Sequence, residues 1–105
     1  MSEVSLLYTT FPDETTAKSI AHTVVTEKLA ACANMMPPMV SIYEWDGKIE
    51  ESSETAILFK TTSDRSEALI ARIAALHPYE VPAIIGWPAG ISHAPFADWV
   101  IKQTK

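Results

Sequence analysis

Near the middle of the chain, Trp45-Asp46-Gly47-Lys48 places Asp-Gly between β-rich flanks. A two-residue type I′ turn needs positive φ at both centre positions, and Asp-Gly supplies it at little steric cost. Reversing the chain there pairs Trp45 with Lys48 and Tyr43 with Glu50. Val40, Ile42 and Tyr43 lead into the turn, and Ala56-Ile57-Leu58-Phe59 lead out of it. Between them Glu50-Glu51-Ser52-Ser53-Glu54 is polar on both faces. The hairpin is therefore long, with a buried base and a tip that projects beyond a small core. Pro37-Pro38 cannot sit in a central ladder, so a bulge or an edge is expected there.

The flanking segments decide what the hairpin joins. Val4 to Thr9 (VSLLYT) reads as a buried strand ended by Phe11-Pro12. Pro12-Asp13-Glu14 suits a first helical turn, because proline has no donor to lose there and carboxylates complement the helix dipole. Ala17, Ile20, Ala21, Val24, Val25 and Leu29 then form one apolar stripe at helical spacing. A second helix is expected from Ser63-Asp64, with Leu69, Ile70, Ile73 and Leu76 facing the core and His77-Pro78 ending it. Ala83 to Trp87 is a strand bounded by Pro82 and Pro88. A short helix follows from Pro95 to about Lys102, with Phe96, Trp99 and Val100 on one face.

The order is βαββαβ plus a terminal helix. This predicts an α+β, ferredoxin-like domain with a long hairpin between its second and third strands. Right-handed crossovers put both main helices on one face of a four-stranded antiparallel sheet. Only the last helix is left to cover the other face. Leu6, Met35, Met39, Ile57, Phe59 and Trp87 offer too much apolar surface to leave wet, whichever half of them points that way, so a homo-oligomer is expected, with the long hairpin reaching a neighbour.

At 105 residues the chain is read as one domain spanning 1–105. Its net charge of −5 excludes a typical nucleic-acid binder and a surface drawn to anionic lipid. Met1-Ser2-Glu3 has no basic n-region and no long apolar run follows, so neither a signal peptide nor membrane insertion is expected, and the default address is cytoplasmic. The single Cys32 agrees, since it can make no intrachain disulfide.

Several residues could carry chemistry. The Cys32 thiolate is a soft ligand suited to copper, although a free Cys at a strand start is usually a small buried hydrophobe. His77, in the stretch HPYEVPAII, has a copper- and zinc-binding imidazole, yet a helix C-terminus also favours histidine. Tyr43, Trp45, Glu54, Lys60, Tyr79 and Glu80 could line a pocket, or could pack with satisfied polar groups such as a Glu–Lys pair. Met35, Met36 and Met39 read as packing residues, and His22 and His93 as solvent-facing ones. Gly47, Gly86 and Gly90 are too scattered to cradle phosphate, and no zinc-protease or nucleophile-elbow motif is present.

Lys28-Leu29-Ala30-Ala31-Cys32-Ala33-Asn34, the hairpin Tyr43 to Ile49, Glu54, Lys60-Thr61-Thr62 and His77 to Pro82 occur in the order and spacing of the CutA, or divalent-cation-tolerance, family. The resemblance covers about Leu6 to Trp99. It implies a tight homotrimer with sheet faces packed inward and hairpins shared between subunits. It also implies a non-enzymatic role in tolerance of copper and other divalent cations. The copper ligands proposed for some members match His77, but Tyr8 and Leu76 stand where the others would be. The resemblance further brings Tyr43, Trp45, Glu54, Lys60, Tyr79 and Glu80 together between subunits. An alternative is a signalling or scaffold trimer similar to PII-type proteins, binding a small ligand or an unknown protein partner at those clefts. A third reading is an enzyme using Glu54, Lys60 and Tyr79.

Overall fold

The computed structural model describes residues 3–105. Met1 and Ser2, on which the expectation about a leader segment partly rests, lie outside the described residues. The elements are β1 (Val4–Phe11), α1 (Glu14–Thr26), β2 (Cys32–Met35), β3 (Met39–Trp45), β4 (Lys48–Thr62), α2 (Ser66–Leu76), β5 (Ile84–Pro88) and α3 (Ala94–Gln103). They form an antiparallel sheet in the order β2-β4-β1-β5, with β3 also paired to β4. This is the ferredoxin-like βαββαβ arrangement with a C-terminal helix added.

The turn forms as its residues dictate. Asp46 and Gly47 both take positive φ, 55° and 81°, and Trp45 pairs with Lys48 and Tyr43 with Glu50. The sheet has five strands rather than the four expected, because Pro37-Pro38 divides the entering strand in two. Both halves pair with the 15-residue β4. Met35 lies opposite Ile57 and Met39 opposite Glu54, so four steps on one strand oppose three on the other. That extra residue is a bulge, and it shifts by one residue which side chains share a face.

Two helix starts differ from expectation. Pro12 precedes the helix instead of entering it, and Asp13 caps α1 by accepting the Thr16 N–H at 2.7 Å. That bond holds the Asp13 carboxyl below its ordinary value. The second helix begins at Ser66, not Ser63. Ser63 is engaged with β1 instead: its N–H donates to the Glu3 carbonyl, and its hydroxyl bonds that of Ser5 at 2.8 Å. At the other end α2 stops at Leu76 as Pro78 requires.

The main core lies between the sheet and α1 and α2. Leu7, Phe11, Ile57 and Phe59 from the strands meet Ala17, Ile20 and Val24 of α1 and Leu69 and Ile73 of α2. Burying each large side chain contributes about 1.5–3 kcal/mol. Of the apolar strand residues, Ile57 and Phe59 are therefore core residues of the helix side. The opposite face is set by register: Leu6, Tyr8, Leu58, Ile85 and Trp87 share it with Cys32, Asn34 and Lys60. On the same side of the sheet, α3 packs Val100 with Val4 and Ala31. Ile85 and Trp87 stay 61% and 44% exposed. No helix among the described residues is long and apolar enough to cross a membrane.

Candidate functional site

Pro78 stops α2 and leaves His77 in extended backbone, φ −71° and ψ 138°. The buried His77 ring stacks on Phe11 with centroids 4.9 Å apart. Its Nδ1 accepts the Tyr79 backbone N–H at 3.1 Å, which leaves the proton on Nε2 to donate to the Thr10 carbonyl at 2.7 Å. His77 thus ties the segment after α2 to β1. With that segment anchored, the Tyr79 hydroxyl donates to Glu54 Oε2 at 2.8 Å.

Glu54 is only 9% exposed and stands where β3 begins to pair with β4. The hairpin therefore brings Tyr43 and Trp45 over the same region, and a cleft of about 670 Å³ opens between its base and the Tyr79–Ala83 segment. Tyr43, Trp45, Glu54, Tyr79 and Glu80 all line it. The Tyr79 hydroxyl is pushed up to about 12, first by burial, then by its bond to Glu54 and by the Glu54 charge. It is a neutral donor at physiological pH, and the cleft's electrostatic character is negative.

Lys60, the sixth residue expected at a pocket between subunits, does not line the cleft of its own protomer. It is six residues along β4 from Glu54, roughly 20 Å away at strand rise. Its Nζ donates to Asn34 Oδ1 at 2.5 Å. Within the protomer Glu54 is partnered by Tyr79 and Lys60 by Asn34. Across the ladder from Lys60 sits the half-buried Cys32, whose thiol is pushed up by burial, with the Lys60 charge opposing the shift.

His77 and Cys32 are likewise apart. Cys32 is level with Lys60 and so with Leu6, whereas His77 is held at Thr10. Four residues of β1 separate these levels, roughly 13 Å along the strand. One ion cannot take both as ligands within a protomer, and both His77 nitrogens are already in hydrogen bonds. Among the described residues no three His, Cys, Asp or Glu side chains converge. Met39 Sδ takes a contact from the Tyr8 hydroxyl at 3.9 Å, and His22 and His93 are exposed.

Sequence reasoning missed two contributors. Thr10 supplies the carbonyl that fixes His77, and nothing local marks it. Ser52 meets the Tyr43 hydroxyl at 3.3 Å, and it could have been found from the Asp-Gly register, which sets it diagonal to Tyr43.

Comparison with known proteins accounts for the arrangement as a whole. The family model of the CutA1 divalent ion tolerance protein matches residues 5–103. The chain is 41% identical to the divalent-cation tolerance protein CutA of Thermus thermophilus, covering 99% of each. It is 44% identical to mouse Protein CutA over 97% of this chain, which spans only 58% of the mouse protein. The crystal structure of CutA1 from Ehrlichia chaffeensis superposes with a TM-score of 0.96 at 38% identity, covering 100% of this chain and 98% of that one. The ordered motifs, the ferredoxin-like sheet and these matches together place the chain in the CutA1 divalent ion tolerance family.

Proposed function

We propose that this chain is a cytoplasmic, homotrimeric protein of the response to divalent metal ions, copper among them, that works by binding rather than by catalysis. The observation that carries the metal part is the full-length match to proteins named for divalent-cation tolerance. Within one protomer Lys60 lies roughly 20 Å along β4 from Glu54, so a mechanism using Glu54, Lys60 and Tyr79 together would have to draw them from different subunits. Contact with copper is weak and falls to Cys32, because His77 would have to give up a backbone hydrogen bond to serve as ligand. Calorimetry with Cu(I) under reducing conditions, and with Cu(II), tests this. A shallow isotherm weakened by Cys32→Ser is expected. Affinity tighter than about 1 µM, about 8 kcal/mol, would contradict it, as would heats indifferent to both Cys32→Ser and His77→Ala.

A second reading rests on the cleft. A signalling or scaffold trimer similar to PII-type proteins would bind a small ligand or a protein partner there. The volume of about 670 Å³ falls within the usual range for small-molecule sites, and Glu54 gives it a buried polar anchor. A thermal-shift screen of small charged metabolites separates this reading from the first.

A further inference from the structure

Two groups on the second side of the sheet carry charge that their hydrogen-bond partners do not offset. Alternate residues of a strand point the same way, so Glu54, Ala56, Leu58 and Lys60 of β4 share that side. Lys60 stands in the row Trp87–Leu6–Lys60–Cys32 across the sheet, and Ile85–Tyr8–Leu58–Asn34 is the next row. Its ammonium is held by Asn34 Oδ1, a neutral acceptor. Glu54 is only 9% exposed. Its Oε2 takes the Tyr79 hydroxyl, a neutral donor, and Oε1 takes no hydrogen bond among the described residues.

Assembly raises the cost of leaving them so. Packing this side against a neighbour takes water from Lys60, an ammonium set among largely apolar side chains. A charge buried without a counter-charge is strongly destabilising, so the covered face needs a carboxylate at Lys60 and a cation at Glu54. One chain cannot join its own two groups, because they lie roughly 20 Å apart along β4. A ring of copies can. Its interfaces are heterologous, so one patch of each copy meets a different patch of the next. An acidic and a basic position set apart on one side of one strand fit that symmetry. Glu54 is the carboxylate that fits, being shielded and fixed by Tyr79 with one oxygen open. Glu50 and Glu80 are exposed, and water already serves them.

We propose that in the assembled protein Glu54 of each copy pairs through Oε1 with the partner subunit's Lys60, so that every cleft is completed by its neighbour's ammonium and is incomplete in a lone chain. This rests on the trimeric reading and names the contact that sets how one copy docks on the next. Tyr79 and Asn34 are the positioning residues, one holding the carboxylate and the other the ammonium.

Two measurements on the full chain test this. In the first, Glu54→Gln and Lys60→Gln remove each charge but keep a partner for Tyr79 and for Asn34. Urea midpoints of both and of the double variant are compared at one protein concentration. Changes roughly 20 Å apart in one protomer should add. Joined across an interface they should not: each single change lowers the midpoint, and the double variant falls no further than the lower single. In the second, Glu54→Lys and Lys60→Glu chains are prepared apart and then mixed, with sedimentation as the readout. Each alone sets like charges together at every interface and should sediment as a monomer. The equimolar mixture sets the new lysine against the new glutamate and should regain the trimer. Additive midpoint shifts, or a mixture no more associated than its components, would overturn the pair and leave the trimer standing. Coupling of Lys60→Gln to Glu80→Gln in place of Glu54→Gln would also overturn it. Wild-type protein that sediments as a monomer would overturn the trimeric reading and the pair with it.

Discussion

Tyr79 carries the burial of the cleft into its titration. Its phenol is raised from an ordinary 10.0 to about 12, chiefly by burial and then by Glu54. A raised value means that the fold favours the neutral form. The stability from this group is complete below about pH 10 and is lost as pH rises through about 12. The residue is 36% exposed, so solvent screens the effect and keeps it small. The difference between wild-type and Tyr79→Phe phenolate absorbance should show a transition near 12, and Tyr79→Phe should flatten the alkaline fall in stability. A transition near 10 would mean that neither the burial of Tyr79 nor its Glu54 contact persists in solution. Thr9 offers a contrasting case. It is fully buried on β1, and its hydroxyl has no partner among the described residues. Thr9→Val keeps the shape and removes the unpaired group, so it should stabilise by about 1 kcal/mol in urea denaturation. A destabilised variant would show that the hydroxyl is satisfied after all.

Between elements, the β1–β5 pairing depends on a close approach at Gly86. A Cβ built there would lie 2.9 Å from the Leu6 carbonyl oxygen and 2.9 Å from Leu7 Cδ1. The leucine methyl can move, but the carbonyl is fixed in the sheet. Gly→Ala changes usually gain about 0.4–1 kcal/mol from the unfolded state, whereas forced overpacking costs about 1–3 kcal/mol. The clash wins, so Gly86→Ala should lower the urea midpoint with an unchanged slope. The same level of organisation shows what the residues could reveal in advance. The hairpin and its register were legible because Asp46-Gly47 constrains the backbone locally. The break at Pro37-Pro38 was legible because a missing donor is a local fact. The start of α2 was not, since Ser63 is drawn to Glu3 and Ser5 by a contact with distant β1. Nor was the distance between Lys60 and Glu54 within one protomer. Glu54 and Lys60 both suit an acid–base cluster, and only the extended run of β4 sets them far apart. For the cleft, the individual partners within the protomer, Tyr79 for Glu54 and Thr10 for His77, came from packing.

At the scale of the whole molecule, the uncovered sheet face needs an explanation. The chain measures 45 × 25 × 23 Å, with one side of its sheet covered by α1 and α2 and the other only partly by α3. Register puts Leu6, Tyr8, Leu58, Ile85 and Trp87 together on that second side. Scattered apolar residues on a surface are ordinary, but a contiguous patch of this kind marks an interface. Under the proposed trimer the patch is turned inward, and removing it from water contributes about 25 cal/mol per Å². Ile85 is the most informative position, being 61% exposed in the isolated chain and paired with Tyr8 from the edge strand β5. A glutamate there costs little in a lone protomer, where it meets water. In a closed assembly it would have to be buried without a partner, once per subunit. Wild-type protein should therefore sediment at three times the 11.5 kDa chain mass, with a thermal midpoint that rises with concentration. Ile85→Glu should sediment as a monomer of unchanged helical content and lose that concentration dependence. A wild-type monomer at low micromolar concentration would remove the trimer, and an Ile85→Glu variant that still sediments as a trimer would move the interface off this face.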